Sequence, residues 1–76
     1  MKPITLRQRV YENIARSLVE FGYTDVTADM IKDCHEAFKE GKSLDDMPHG
    51  IVGMFAYKQI DDACKKGMLE RKNPDV

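Results

Sequence analysis

Apolar side chains recur at helical spacing in three separate stretches of this chain, and no stretch alternates apolar and polar residues as a half-buried strand does. That pattern constrains the fold most. Three amphipathic helices joined by short links can close one core by packing on each other. The reading is therefore an all-α three-helix bundle, with helices over about residues 6–21, 28–40 and 48–66.

The first stretch opens at Thr5, where Thr5-Leu6-Arg7-Gln8 fits a capping box. It stops at Gly22, a residue suited to a left-handed helix end. Leu6, Val10, Ile14, Leu18 and Phe21 share one arc, with Tyr11 at its edge. On the other side Arg9, Glu12, Arg16 and Glu20 form a ladder in which Glu12–Arg16 and Arg16–Glu20 are i, i+4 pairs, each worth about 0.3 kcal/mol. Thr27 caps the second stretch, Val26 is placed to staple onto Ile31, and Gly41 ends it. Met30, Ile31, Cys34, Ala37 and Phe38 make its apolar arc, and Asp29, Asp33, Glu36 and Glu40 its wet side. The third helix is expected to start at Pro48, because proline suits the first helical position, and to stop at Gly67. Asp45 and Asp46 then lie near the positive end of its dipole, and Met68 or Leu69 covers its far end. Residues 70–76 read as a flexible polar tail.

With 76 residues the chain is expected to form a single domain, residues 1–76. A chain this short buries only about 60% of its unfolded surface, so oligomerisation is one route to adequate stability. The net charge of −1 provides no global attraction to nucleic acid or to a membrane. The opening MKPITLRQRV has no apolar leader segment, and no apolar run reaches membrane-spanning length. A cytoplasmic protein with two reduced thiols, Cys34 and Cys64, is the resulting expectation.

Two cysteines and two histidines raise the question of zinc, but Cys34 and His35 are adjacent and point about 100° apart on a helix. Both thiols sit among apolar positions where small hydrophobes belong, so no metal and no cofactor is expected. His49 reads as half-buried on the side of Ala56, Ile60 and Ala63, hydrogen-bonded to the loop before it. A glycine-rich phosphate loop, a nucleophile elbow and an HExxH motif are all missing, so neither catalysis nor a small-molecule substrate is inferred. A helix-turn-helix reading fails on its turn, since residues 41–47 are too many for that motif. An accessory nucleic-acid binder using Lys2, Arg7 and Arg9 is the alternative function. Arg7 is the odd member, because it falls within the apolar arc of its helix.

The sharpest signal is DDMPHGIVGMFA at residues 45–56. Val52, Gly53, Ala56, Ile60, Ala63 and Cys64 define a core arc, with Tyr57 at its edge, yet Ile51, Met54 and Phe55 fall outside it. The helix is thus apolar all round in its first turns, and such a helix should be covered on every side. Gly53 and Ala56 would let a neighbouring helix approach closely. The expected function is a non-enzymatic protein–protein interaction module, a homodimer or a unit docking on a larger protein. Its anchors would be Ile51, Met54 and Phe55, with Met47 and His49 at the rim.

Overall fold

The computed structural model describes residues 5–72, which form three α-helices and one short 3₁₀ turn. Helix α1 spans Leu6–Phe21, α2 Ala28–Lys39 and α3 Ile51–Lys65, and the 3₁₀ turn Leu44–Asp46 lies between α2 and α3. There is no strand among the described residues. Each helix packs on the other two, which makes this an all-α three-helix bundle.

Local chemistry sets most of the boundaries. The Thr5 hydroxyl accepts the Gln8 amide at 3.1 Å, and Thr27 accepts the Met30 amide at 3.4 Å. Each thereby occupies one of the donors a helix start leaves free. All three helices close in the same manner, with Gly22, Gly41 and Gly67 at positive φ. The amides beyond them turn back, Tyr23 onto Leu18, Lys42 onto Ala37 and Met68 onto Ala63. A left-handed residue makes that reversal possible, and glycine adopts it without a Cβ clash.

The third helix begins later than the sequence reading expects. Pro48 is outside α3; His49 (φ 70°) and Gly50 (φ 61°) take left-handed conformations, and the helix starts at Ile51. The cause is tertiary. Met47 is drawn into the core, and the Pro48 carbonyl faces inward, where the Cys34 thiol donates to it at 3.7 Å. That same carbonyl lies on Gly53: a Cβ there would stand 1.9 Å from it. Gly53 thus serves a close approach, but of the chain's own Met47–Pro48 segment and not of a neighbouring helix. Asp46 is part of the 3₁₀ turn, where the Ser43 hydroxyl donates to its carboxylate at 3.1 Å.

The core comprises Val10, Tyr11, Ile14 and Leu18 of α1, Ile31, Cys34 and Phe38 of α2, and Ala56, Ile60 and Ala63 of α3. The buried stripe of α1 is rotated from the expected arc. Tyr11 is at its centre and not at its edge, while Leu6 and Phe21 are exposed. The expected Arg9–Glu12–Arg16–Glu20 ladder forms no ion pair within 4 Å among the described residues. Beyond Gly67 the chain folds back over the end of α3. Leu69 is buried, Glu70 pairs with Arg7, and Arg71 holds Asp61 at 3.0 Å. The first residues of the expected tail are therefore tied to the bundle, and residues 73–76 lie outside the described residues. The Glu70 contact also accounts for a cation in the first turn of α1.

Candidate functional site

Five residues were expected to form a partner surface, and the structure separates them. Met47 is buried under α3 and is not at a rim. His49 is an exposed residue whose side chain is 30% open to water, but its partner is not the preceding loop: its Nε2 meets the Asp33 carboxylate of α2 at 3.0 Å. Ile51 is 57% exposed and Met54 38% exposed, while Phe55 is half-covered.

What covers Phe55 is the end of α1. The Phe21 and Tyr23 rings lie 5.8 and 5.6 Å from the Phe55 ring, and 6.1 Å from each other, in a triangle of tilted and stacked contacts. Such pairs contribute about 0.5–1.5 kcal/mol beyond the area they bury. The cover is itself open, because Phe21 is 72% exposed. The apolar surface expected on α3 alone therefore runs across two elements. Ile51 lies one turn before Phe55 on α3, and the aromatic triangle continues it onto the end of α1. Beside the triangle a shallow cleft of about 260 Å³ is lined by Tyr23, Val26, Met30 and Val52, with Asp25 at its border.

Phe21 and Tyr23 escaped sequence reasoning because Phe21 fits the core arc of α1 by angle. The usable signal was its place directly before the terminating Gly22, where a helix runs out of neighbours to bury it.

A second feature lay unread in the sequence. His35 is 0% exposed, and both of its ring nitrogens are engaged. Nε2–H donates to the Glu70 carbonyl at 2.7 Å; since a carbonyl only accepts, the proton sits on Nε2, and Nδ1 takes the Tyr11 hydroxyl at 2.6 Å. One imidazole thus ties α1, α2 and the segment after α3 together. Burial pushes the His35 pKa below its ordinary value, with Lys39 and Arg7 adding to that and the Glu70 carbonyl opposing it. Burial also raises the Tyr11 hydroxyl above its ordinary range. The site is built to hold a neutral imidazole.

The thiols follow the same logic. Cys34 is fully buried, and burial, with the Asp33 carboxylate behind it, lifts its pKa to about 11. Cys64 is partly covered, shifted upward by burial, and donates to the Glu70 carbonyl at 3.6 Å. No cluster of three or more metal-ligating side chains occurs among the described residues. No helix is long and apolar enough to cross a membrane among them.

Of the basic residues read as a nucleic-acid surface, Arg7 is engaged with Glu70, Arg9 is exposed, and Lys2 lies outside the described residues. Comparison of the chain with protein-family models, with curated proteins and with solved structures gives no match.

Proposed function

We propose that the chain is a non-enzymatic self-association module, in which a second copy covers the apolar surface formed by Phe21, Ile51, Met54 and the aromatic residues beneath them. The observation that carries this reading is the exposure of the Phe21 ring, 72% open to water while stacked on Tyr23 and Phe55. Exposed aromatic and methionine side chains grouped in one place are the composition of an interface core.

The choice of a second copy rests on charge. A two-fold interface presents the same patch from both sides, so residue i of one copy meets j of the other and the reverse. A patch of one sign would repel itself; this one is neutral at its centre. Asp25 borders it on the cleft side, and Lys58 follows Met54 by one turn on α3. Neither is in an ion pair among the described residues, so a two-fold axis can set the acid of one copy against the cation of the other. A net charge of −1 puts little repulsion between copies.

Sedimentation equilibrium across a concentration series tests it. The expected mass rises from the 8.7 kDa of one chain towards twice that value. Phe21→Ser and Met54→Lys each weaken the dimer by about tenfold or more while the helical circular dichroism signal stays the same. A constant 8.7 kDa at the highest attainable concentration sinks the reading.

A further inference from the structure

The opposite end of the bundle carries a different kind of surface. A cleft of about 540 Å³ opens where the end of α2 meets the middle of α3 and the segment after it. Phe38 and Tyr57 form its apolar floor, their rings 5.1 Å apart and tilted, and Lys39, Lys42, Arg71 and Lys72 line its walls. Among the described residues Glu40 is the one carboxylate in that lining. In a chain whose net charge is −1, this places four cations around one small concavity.

Lys39 gives the cleft its character. Its side chain is only 6% exposed, which is rare for lysine because taking an ammonium out of water is costly. The ammonium has three N–H donors, and the partner it has within 4 Å among the described residues is Glu36, at 3.2 Å. Donor capacity therefore remains on a buried charge beside the cleft. Arg71 lies 5.9 Å over the Phe38 ring and is oriented by Asp61, so its guanidinium is held in place at the wall. Lys42 leans on Glu40 at 3.7 Å, a long and exposed contact that an anion can displace.

Two features oppose an anion. The negative end of the α2 dipole points this way, equivalent to roughly half a charge. Its Ala37 and Phe38 carbonyls, however, are taken by the Lys42 and Gly41 amides. Glu36 and Asp61 offset part of the positive charge from outside the lining. Counted with Glu40, they bring the balance to four cations against three carboxylates, a net of about +1 that still exceeds the half-charge of the dipole.

We infer that this cleft binds a nucleotide unit, with the phosphate held by Lys42, Arg71 and Lys72 near the Lys39 ammonium and the flat base laid against Tyr57. The volume falls within the range of about 300–1,000 Å³ common for small-ligand sites. Lysine and arginine together suit phosphate oxygens, and a partly exposed tyrosine face supplies stacking that every base can use. An extended acidic peptide fits less well, because it would need a groove running past the aromatic floor. The unit can come from a free nucleotide or from a single strand, which share this chemistry.

Amide chemical-shift titrations of the full chain test it, with adenosine monophosphate, adenosine, inorganic phosphate and a short oligothymidylate as separate probes. The expected result is saturable shifts at Gly41, Lys42 and Tyr57 with the monophosphate, stronger than with adenosine or phosphate alone. Tighter binding of the oligonucleotide assigns the source to a strand, and equal or weaker binding assigns it to the free nucleotide. The exposed double variant Lys42→Glu, Lys72→Glu should lose affinity by about tenfold or more with its spectrum otherwise intact. Equal shifts with inorganic phosphate alone, shifts confined to other parts of the chain, or none up to about 10 mM would overturn the inference.

Discussion

His35 and His49 show how one residue type can hold a fold in two different ways. His35 is fully buried, and its two nitrogens join α1, α2 and the segment after α3. His49 sits exposed in a left-handed turn and touches Asp33 through one nitrogen. In the first region the side chain carries the structure, because removing it strands the buried Tyr11 hydroxyl and cuts the link to the Glu70 carbonyl. In the second the backbone carries it, through Met47 in the core and Pro48 pressed on Gly53. The contrast teaches that the stability assigned to a residue depends on what its removal leaves unsatisfied.

The strongest test of the backbone half is Gly53→Ala. Its Cβ would lie 1.9 Å from the Pro48 carbonyl oxygen and 3.0 Å from the Met47 Cβ. The first neighbour is backbone and cannot rotate away, so the Met47–Pro48 segment must lift from α3. A loss of about 3 kcal/mol or more is expected from urea unfolding, despite alanine's better helix propensity. A loss below about 1 kcal/mol would mean that this segment is free to move, and the contrast would collapse.

On the side-chain half, His35→Leu should cost about 2–4 kcal/mol, because it leaves the buried Tyr11 hydroxyl without that partner and the Glu70 carbonyl with only the Cys64 thiol. Adding Tyr11→Phe should recover part of the loss, since the stranded hydroxyl is then gone. If the double variant is worse by the full sum of the two single losses, the hydrogen bond between Tyr11 and His35 is not the operative link.

The next effect is a pH dependence that belongs to His35. Its folded pKa is depressed by burial, with Lys39 and Arg7 contributing, so between the folded and unfolded values the unfolded chain binds more protons. Stability therefore rises with pH in that window. It is fully present above the unfolded value of about 6.5 and is lost progressively as pH falls from there towards the lower folded value. The Asp61 carboxyl, held down by Lys65 and Arg71, loses stability in the same direction but below its ordinary 3.8, so the two windows separate. Urea midpoints measured at several pH values should slope for the parent chain below the ordinary histidine value of about 6.5 and flatten there for His35→Leu. An unchanged slope in the variant would show that another group titrates.

Particular residues show what was legible in the sequence. Thr5, Thr27 and Gly22, Gly41 and Gly67 marked helix ends because each acts through bonds a few residues away. The apolar arcs of α2 and the later part of α3 were likewise readable, since period alone places them. Pro48 misled because its local preference for a helix start lost to the burial of Met47 and the inward carbonyl, both long-range effects. Phe21 misled because a helical wheel gives an angle but not where the neighbouring helices stop. His35 stayed hidden for the same reason: its partners Tyr11 and Glu70 lie 24 and 35 residues away in sequence. The candidate surface was half-legible. Ile51, Met54 and Phe55 were visible as surplus apolar residues on α3, while the part contributed by α1 required the bundle geometry.

The smallest effect completes the comparison. His49→Ala removes an exposed contact to Asp33, of a kind that contributes about 0.2–1 kcal/mol at most, and leaves a β-carbon in a left-handed turn. A non-glycine residue at φ 70° carries a conformational cost of about 1 kcal/mol. His49→Gly loses the same contact but relieves that cost, partly offset by the greater freedom of glycine in the unfolded chain. The glycine variant should therefore be at least as stable as the alanine variant, and both should stay within about 1 kcal/mol of the parent. The ordering matters more than the size. If alanine proves the better replacement, or if either variant loses as much as His35→Leu, then the His49 side chain is holding the turn and the backbone of Met47 and Pro48 is not.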